Sequence, residues 1–417
     1  MAIGKIKITN FKSFKRLEVE MGKFNVLIGA NASGKSNFIQ IFKFLRDIMR
    51  SGLENAISMQ GGIEYLRNIN IGPFENLAMD ITVYGERPGF VIDTEKGLIG
   101  IKPRKLIYEF AIEFKKRGLG FKVVKDKVTQ KCEFVRLEEQ KKKGRREEKL
   151  GEGEIILSSL NGKLKVDLNR PAEVPIKEND IIPPFFLRER KLPSNVLLLE
   201  TSLFFLPLLE NFEDISIYDF DPKLPKKATP ITGKAELEED GSNLSIVLKN
   251  LIRHRDRKRK LFNLISELLP FVSDLDVEKF ADKSLLFKLK EKYFEEEYLP
   301  ASLISDGTIN ITALIIALYF EKKSLTIIEE PERNIHPYLI SKIVNMMKEA
   351  SQRKQIIVTT HNPEIVKYAD LEDILLVSRD KEGFSTISRA GDKEEIKIFL
   401  KNEIGIEELY VQRLLEI

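Results

Sequence analysis

Residues 29–36, Gly29-Ala30-Asn31-Ala32-Ser33-Gly34-Lys35-Ser36, match the spacing G-x-x-x-x-G-K-[ST] at every position. Glycines let the backbone wrap closely, so that its N–H groups can point at phosphate oxygens. Asn31, Ala32, Ser33, Gly34 and Asn37 are the candidate cradle. Lys35 supplies a cation for β- and γ-phosphates, and the Ser36 hydroxyl is placed to ligate Mg²⁺. An ordinary glycine turn is the competing explanation, and the flanking strand and helix weigh against it.

Two adjacent acids, Glu329 and Glu330, close the apolar run Leu325-Thr326-Ile327-Ile328. Neighbouring carboxylates at the end of a buried strand repel each other and lose hydration, and a cation relieves both costs. Glu329 is the candidate Mg²⁺ ligand, acting through water, and Glu330 the candidate for polarising an attacking water. Acids are also common at solvated strand ends; the phosphate loop in the same chain favours the metal.

Ser305-Asp306-Gly307-Thr308 leads into a helical run, Ile309 to Phe320. Ser and Asp cap helices, and a helix start attracts anions. A plain capped helix explains the same residues, but their place shortly before the paired acids singles out Ser305 and Gly307. His361 follows another apolar run, Ile356 to Thr360, at the end where parallel strands meet ligands. It could contact a γ-phosphate; a hydrogen-bonded loop histidine is the alternative. His336 reads as a turn residue.

These groups need a scaffold. Phe24 to Ile28 reads as a buried parallel strand, with a helix from Lys35 to about Met49. A second β–α–β rhythm follows Asp306: a helix to Phe320, strands at Leu325–Ile328, Ile356–Thr360 and Ile374–Val377, and a helix over Pro337–Ala350. The two ends are expected to share one sheet, with the middle inserted. Residues 76–170 read as an antiparallel sheet broken by an exposed helix or loop at Glu138–Lys149, and Phe185 to Pro270 reads as helical. The expected division is 1–184 for the phosphate loop and antiparallel β subdomain, 185–304 for a mainly helical lobe, and 305–417 for the remainder of the core.

Composition narrows the classes. The chain has 417 residues, 42% of them hydrophobic, with 68 Lys+Arg against 64 Asp+Glu. A net charge of +4 does not announce a nucleic-acid binder, so such a surface must be local. Two basic runs, Lys141–Arg146 and Arg253–Lys260, are candidates, with a solvated charged face as the plain alternative. The single cysteine, Cys132, excludes a disulfide framework and a cysteine metal site and suits a reducing cytoplasm. No apolar run reaches membrane-spanning length.

Together these residues resemble the ABC-type ATPases of the SMC/RecF branch, and among them the AAA-family ATPases related to OLD proteins. The likeness rests on Ile8-Thr9-Asn10-Phe11-Lys12-Ser13-Phe14, the phosphate loop through Asn37, Leu303 to Thr308, Ile327 to Pro337 and Val358 to Pro363. It covers both ends of the chain; the middle matches only in general character. It implies an α/β fold, a P-loop NTPase of ABC type, in which a mixed sheet carries an antiparallel β subdomain and a helical signature lobe.

The resemblance also implies ATP and Mg²⁺ as ligands. By it, Ser305 and Gly307 would contact the γ-phosphate bound by a partner, and Pro331 to Asn334 would lie along the dimer seam. His361 would be the switch histidine, and Gln60 is a candidate for the family's loop glutamine. A head-to-tail homodimer or higher homo-oligomer is implied, controlling a separately encoded nuclease or other effector, as compact relatives do in anti-phage defence. No sustained heptads and no acidic cluster beyond His361 point to a long coiled coil or a nuclease in the same chain. The alternative is a RecF-like, DNA-binding repair ATPase. A transporter subunit is disfavoured by the long separation of Lys35 and Ser305.

Overall fold

The computed structural model describes every residue except 1, 86–88, 96, 117, 119, 141–143, 161, 182–191, 202–211, 281–282, 295–296, 394–404 and 413–417. The chain opens with an antiparallel hairpin, β1 (Ala2–Phe11) and β2 (Phe14–Glu20), followed by β3 (Phe24–Ile28) and α1 (Lys35–Ser51). Then come β4 (Leu77–Tyr84), β5 (Phe90–Thr94), β6 (Gly97–Phe114), β7 (Phe121–Gln140), β8 (Gly144–Leu160) and β9 (Lys163–Asn169). These strands form an antiparallel sheet in the order β2-β1-β4-β6-β7-β8-β9, with β5 on β6.

Of the charged stretch 138–149, expected as an exposed helix or loop, residues 138–140 and 144–149 are instead strand residues, paired across β7 and β8, and 141–143 lie outside the described residues. Opposite charges face each other across these strands: Arg136 Nη1 lies 2.7 Å from Glu148, and Lys131 Nζ 3.1 Å from Glu154. Such cross-strand pairs let a charged sequence stay in a ladder. A charge count along the chain reads only the polarity.

The later elements are β10 (Ile215–Tyr218), β11 (Thr229–Pro230), α2 (Leu244–Ile252), α3 (Arg255–Leu268), β12 (Val272–Phe280), β13 (Ser284–Glu291) and β14 (Leu299–Pro300). Next follow α4 (Asp306–Tyr319), β15 (Leu325–Glu329), α5 (Ile340–Ser351), β16 (Gln355–Thr360), α6 (Pro363–Tyr368), β17 (Ile374–Arg379) and β18 (Ser385–Arg389). The expected mainly helical lobe is mixed: beside α2 and α3 it holds a small sheet, β11-β13-β12, with β14 on β13. Parts of that lobe, 185–191 and 202–211, lie outside the described residues.

Two compact units cut across the expected three-part division. The first comprises 1–22, 31–215 and 377–387; the second comprises 23–30, 216–376 and 388–417. In the second, β3 pairs in parallel with β16 on one side and β17 on the other, and β16 pairs with β15. The two ends of the chain therefore share a sheet, as expected. β3 and β16 are buried along their whole length. Each fully buried Val, Leu or Ile there contributes roughly 1.5–3 kcal/mol.

α4 is buried from Thr308 to Leu318, and Lys354 donates to the Ala317 and Glu321 carbonyls, each at 2.8 Å, at its carboxyl end. In the first unit, α1 buries Phe38, Ile39, Ile41, Phe42, Phe44, Leu45 and Ile48, which anchors the helix behind the phosphate loop.

Candidate functional site

Register aligns the carboxyl ends of three strands. Glu329 on β15 sits opposite Thr359 on β16, and Thr360 sits opposite Ile28, the last residue of β3. The phosphate loop begins at the next residue, Gly29, and from Asn31 onward it belongs to the first unit.

Within the first unit the loop is held from outside. Ala32 adopts φ 63°, a left-handed conformation that costs a non-glycine residue about 1–2 kcal/mol. The Arg379 Nε and Nη2 groups donate to the Ala32 carbonyl at 3.0 and 2.9 Å. The Ser385 hydroxyl donates to the Ser33 carbonyl at 2.6 Å. Its 2.8 Å contact with Ser13 Oγ is then satisfied with Ser13 as donor, and Asn37 Nδ2 donates to Ser13 Oγ at 2.8 Å. Gly34 has φ 121°, and a Cβ there would lie 2.2 Å from Ser385 Oγ, so only glycine fits.

Asn31, Ala32 and Ser36 are exposed, whereas Ser33, Gly34 and Lys35 are buried. Gly34 caps α1 without a side-chain hydrogen bond, and Ser33 Oγ is buried with no partner. First-turn amides without a side-chain cap, with Lys35 and the Ser36 hydroxyl beside them, fit a phosphate chain.

The carboxylates lie in the second unit. Glu330 adopts φ 44°, and its N–H remains bonded to the Thr359 carbonyl at 2.9 Å. Arg333 grips Glu330 Oε2 through Nε and Nη2 at 3.2 and 3.0 Å, while its Nη1 reaches Asp219 at 2.9 Å. Partial burial works against the Arg333 charge, but the bonds to Glu330 and Asp219 outweigh it and raise its pKa. His361 Nε2 stands 3.9 Å from Glu330 Oε1, beyond hydrogen-bond reach. Glu332 is buried against Thr360 Oγ at 2.5 Å, and burial raises its pKa.

The 305–308 turn packs on the segment after the acids. Ser305 Oγ caps α4 by accepting from the Thr308 N–H at 3.2 Å. A Cβ on Gly307 would meet the Asn334 carbonyl at 2.5 Å, so glycine is required for this backbone approach. Asn310 Nδ2 donates to the Arg333 carbonyl at 2.8 Å, and Lys226 pairs with Asp306 at 2.5 Å.

The structure thus gathers Glu329, Glu330, His361, Ser305 and Gly307 with their supports in the second unit. It gathers Asn31 to Asn37 in the first. Gln60 closes a short helix with both side-chain amide atoms buried and unpartnered. Sequence reasoning missed Arg333, Arg379, Ser385 and the hydroxyl role of Ser13. Arg333 lay inside a quoted motif; nothing local marks Arg379 or Ser385. Among the described residues no group of three or more His, Cys, Asp or Glu is arranged to hold a metal. Ser36 and Glu329 are oxygen donors of the kind Mg²⁺ accepts, beside phosphates and waters.

Sheet, loop and paired acids define a nucleotide-binding ATPase domain of the P-loop type. The chain belongs to the AAA-domain family described as "AAA domain, putative AbiEii toxin, Type IV TA system", whose model matches residues 24–367. Solved structures similar to it include an SMC head bound to the C-winged helix domain of ScpA: 17% identity, TM-score 0.47, covering 93% of this chain and 98% of that one. The SMC head domain from Thermotoga maritima is 14% identical, with TM-score 0.42, covering 93% and 99%. An Smc head with an extended coiled coil, bound to the C-terminal domain of ScpA and derived from Pyrococcus furiosus, is 16% identical, with TM-score 0.47, covering 96% and 99%. No curated protein sequence matches the chain. Among the described residues no helix is long and apolar enough to cross a membrane.

Proposed function

We propose that this chain binds and slowly hydrolyses ATP, and that ATP closes two copies head to tail to control a partner protein. The loop from Asn31 to Asn37 takes the phosphates, with Lys35 countering their charge. Ser36 and Glu329 hold Mg²⁺, which when bound neutralises charge on the phosphate oxygens. Glu330 accepts a proton from the attacking water, and His361 orients that water or the terminal phosphate. Ser305 and Gly307 face the nucleotide of the second copy.

The observation that carries this reading is the loop itself: a strained backbone, tied from behind, whose first helical amides have no side-chain cap. The family description names a putative toxin of a Type IV TA system; a separately encoded effector such as a nuclease as the partner rests on the resemblance to compact relatives.

A second reading, a DNA-binding maintenance ATPase, is favoured by one surface. Arg253, Arg255 and Arg257 are exposed and carry no ion pair among the described residues. The other basic run falls largely outside them: Lys141 to Lys143 are not described.

Glu330→Gln decides between closure and its absence. Sized by light scattering with Mg-ATP, this variant is expected to run at twice its nucleotide-free mass. Its turnover should fall by about 100-fold or more, the usual contribution of a positioned base. A monomer with ATP bound contradicts closure. Repeating the sizing with duplex DNA at rising salt tests the second reading, because phosphate contacts weaken steeply with salt.

A further inference from the structure

The hairpin of β17 and β18 supplies two groups to the phosphate loop from more than three hundred residues away. A trans peptide points its C=O and N–H in opposite directions. The Ala32 carbonyl shares a peptide with the Ser33 N–H, and the Ser33 carbonyl shares one with the Gly34 N–H. Arg379 takes the first carbonyl through two donors and Ser385 takes the second. Both peptide planes are therefore set with their carbonyls towards the hairpin and their N–H groups away from it. Were either plane to flip, a carbonyl oxygen would face the anion that the loop is built to receive.

The hairpin is itself braced for this. Arg379 Nη1 donates to the Gly383 carbonyl at 2.5 Å, closing the turn between the strands. The Ser385 N–H donates to the Ser13 carbonyl at 2.9 Å, and the Ser385 side chain is almost fully buried. Asn37, Ser13 and Ser385 form one hydrogen-bond chain that runs from α1 back to the Ser33 carbonyl. Chains of this kind strengthen their own members.

We propose that Arg379 and Ser385 are positioning residues for the phosphate loop: they lock the Ala32 and Ser33 peptides so that nucleotide meets a preformed cradle. The proposal rests on the reading that this loop binds nucleotide phosphate. Arginine suits the task because its planar fork can place two N–H groups on one oxygen, which a lysine ammonium does not reproduce.

The test measures equilibrium binding of mant-ATP with Mg²⁺ to the full chain, and amide exchange over residues 31–35 without nucleotide. Arg379→Ala and Ser385→Ala are each expected to weaken binding about tenfold, equivalent to about 1.4 kcal/mol. Arg379→Lys should recover little of the loss. Exchange at the Ser33 and Gly34 amides should quicken in all three variants, with melting temperatures close to wild type. Unchanged affinity and unchanged exchange in a folded variant overturn the proposal. If Arg379→Ala fails to fold, Ser385→Ala, which removes only a hydroxyl, decides the matter. A wild-type protein that does not bind mant-ATP overturns the phosphate reading and this proposal with it. Wild-type binding with unaltered variants overturns this proposal alone.

Discussion

The phosphate loop and the turn after the paired acids are fastened in different ways. The loop is tied by hydrogen bonds onto its carbonyls, from an arginine that stays charged and from serine hydroxyls that do not titrate. The backbone of the acidic turn is also tied by hydrogen bonds, from Asn310 to the Arg333 carbonyl and from the Glu330 N–H to the Thr359 carbonyl, but its charged side chains are held by ion pairs: Glu330 to Arg333, Arg333 to Asp219, and Asp306 to Lys226. Bonds onto backbone carbonyls fix a shape. Half-exposed ion pairs are individually weak and can exchange partners at little cost. The difference therefore lies in the side chains: the loop's supports bond to carbonyls, whereas the Glu330 carboxylate is held by a partner that can exchange. Under the proposed function, a binding cradle gains from the first property, and a Glu330 carboxylate that takes a proton gains from the second.

The contrast can be broken at Asp126, where the first unit does contain a titrating group. Tyr108 Oη donates to its carboxylate at 3.1 Å and the Leu198 N–H at 2.7 Å, and burial pushes its pKa up to about 7. The folded state therefore holds this proton more tightly than the unfolded chain, whose carboxylate titrates near 3.8. The contribution of Asp126 to stability is fully present below the unfolded pKa and is lost as pH rises through the folded value of about 7. Wild-type melting temperature should fall between pH 5 and pH 8, with an Asp126 contribution of about 2 kcal/mol or more. Asp126→Asn, which imitates the protonated acid, should be flatter over that window. An equal slope in both proteins contradicts the assignment.

A smaller effect sharpens the contrast from the other side. Arg333→Ala frees Glu330 Oε2 and should raise basal turnover about two- to fivefold, the scale of a partly exposed ion pair near 1 kcal/mol. Nucleotide affinity should stay within about twofold of wild type, because the hydrogen bonds removed are those to Glu330, Asp219 and the Phe220 carbonyl. Steady-state kinetics beside a binding titration read both quantities. Lower turnover would mean that Arg333 orients Glu330 and does not restrain it.

Much of this was legible in the chain because it is contiguous. The phosphate loop, the paired acids and His361 each follow a buried, mainly apolar strand, and β3, β15 and β16 fall where the buried runs placed them. Gly307 was legible as a residue, but the reason visible in this fold is its approach to Asn334. What stayed hidden depends on distant partners. Arg379 and Ala32 are joined only when the sheet brings the hairpin to the loop. The strand at 144–149 is stabilised by charges on its neighbour, and no local window contains both. The small sheet around β12 and β13 lies beyond Pro270, where the helical reading stops; β13 alternates clearly from Leu285 to Leu289, whereas β12 does not.

The most direct test is a titration of Mg-ATP, monitored by calorimetry, onto wild type and Lys35→Ala. Wild type should bind with saturation at about one nucleotide per chain, and Lys35→Ala should lose at least about 100-fold in affinity, as expected when a buried charge-assisted contact to phosphate is removed. Equal affinity in the two proteins, or no binding by wild type, would contradict the assignment of this loop to nucleotide.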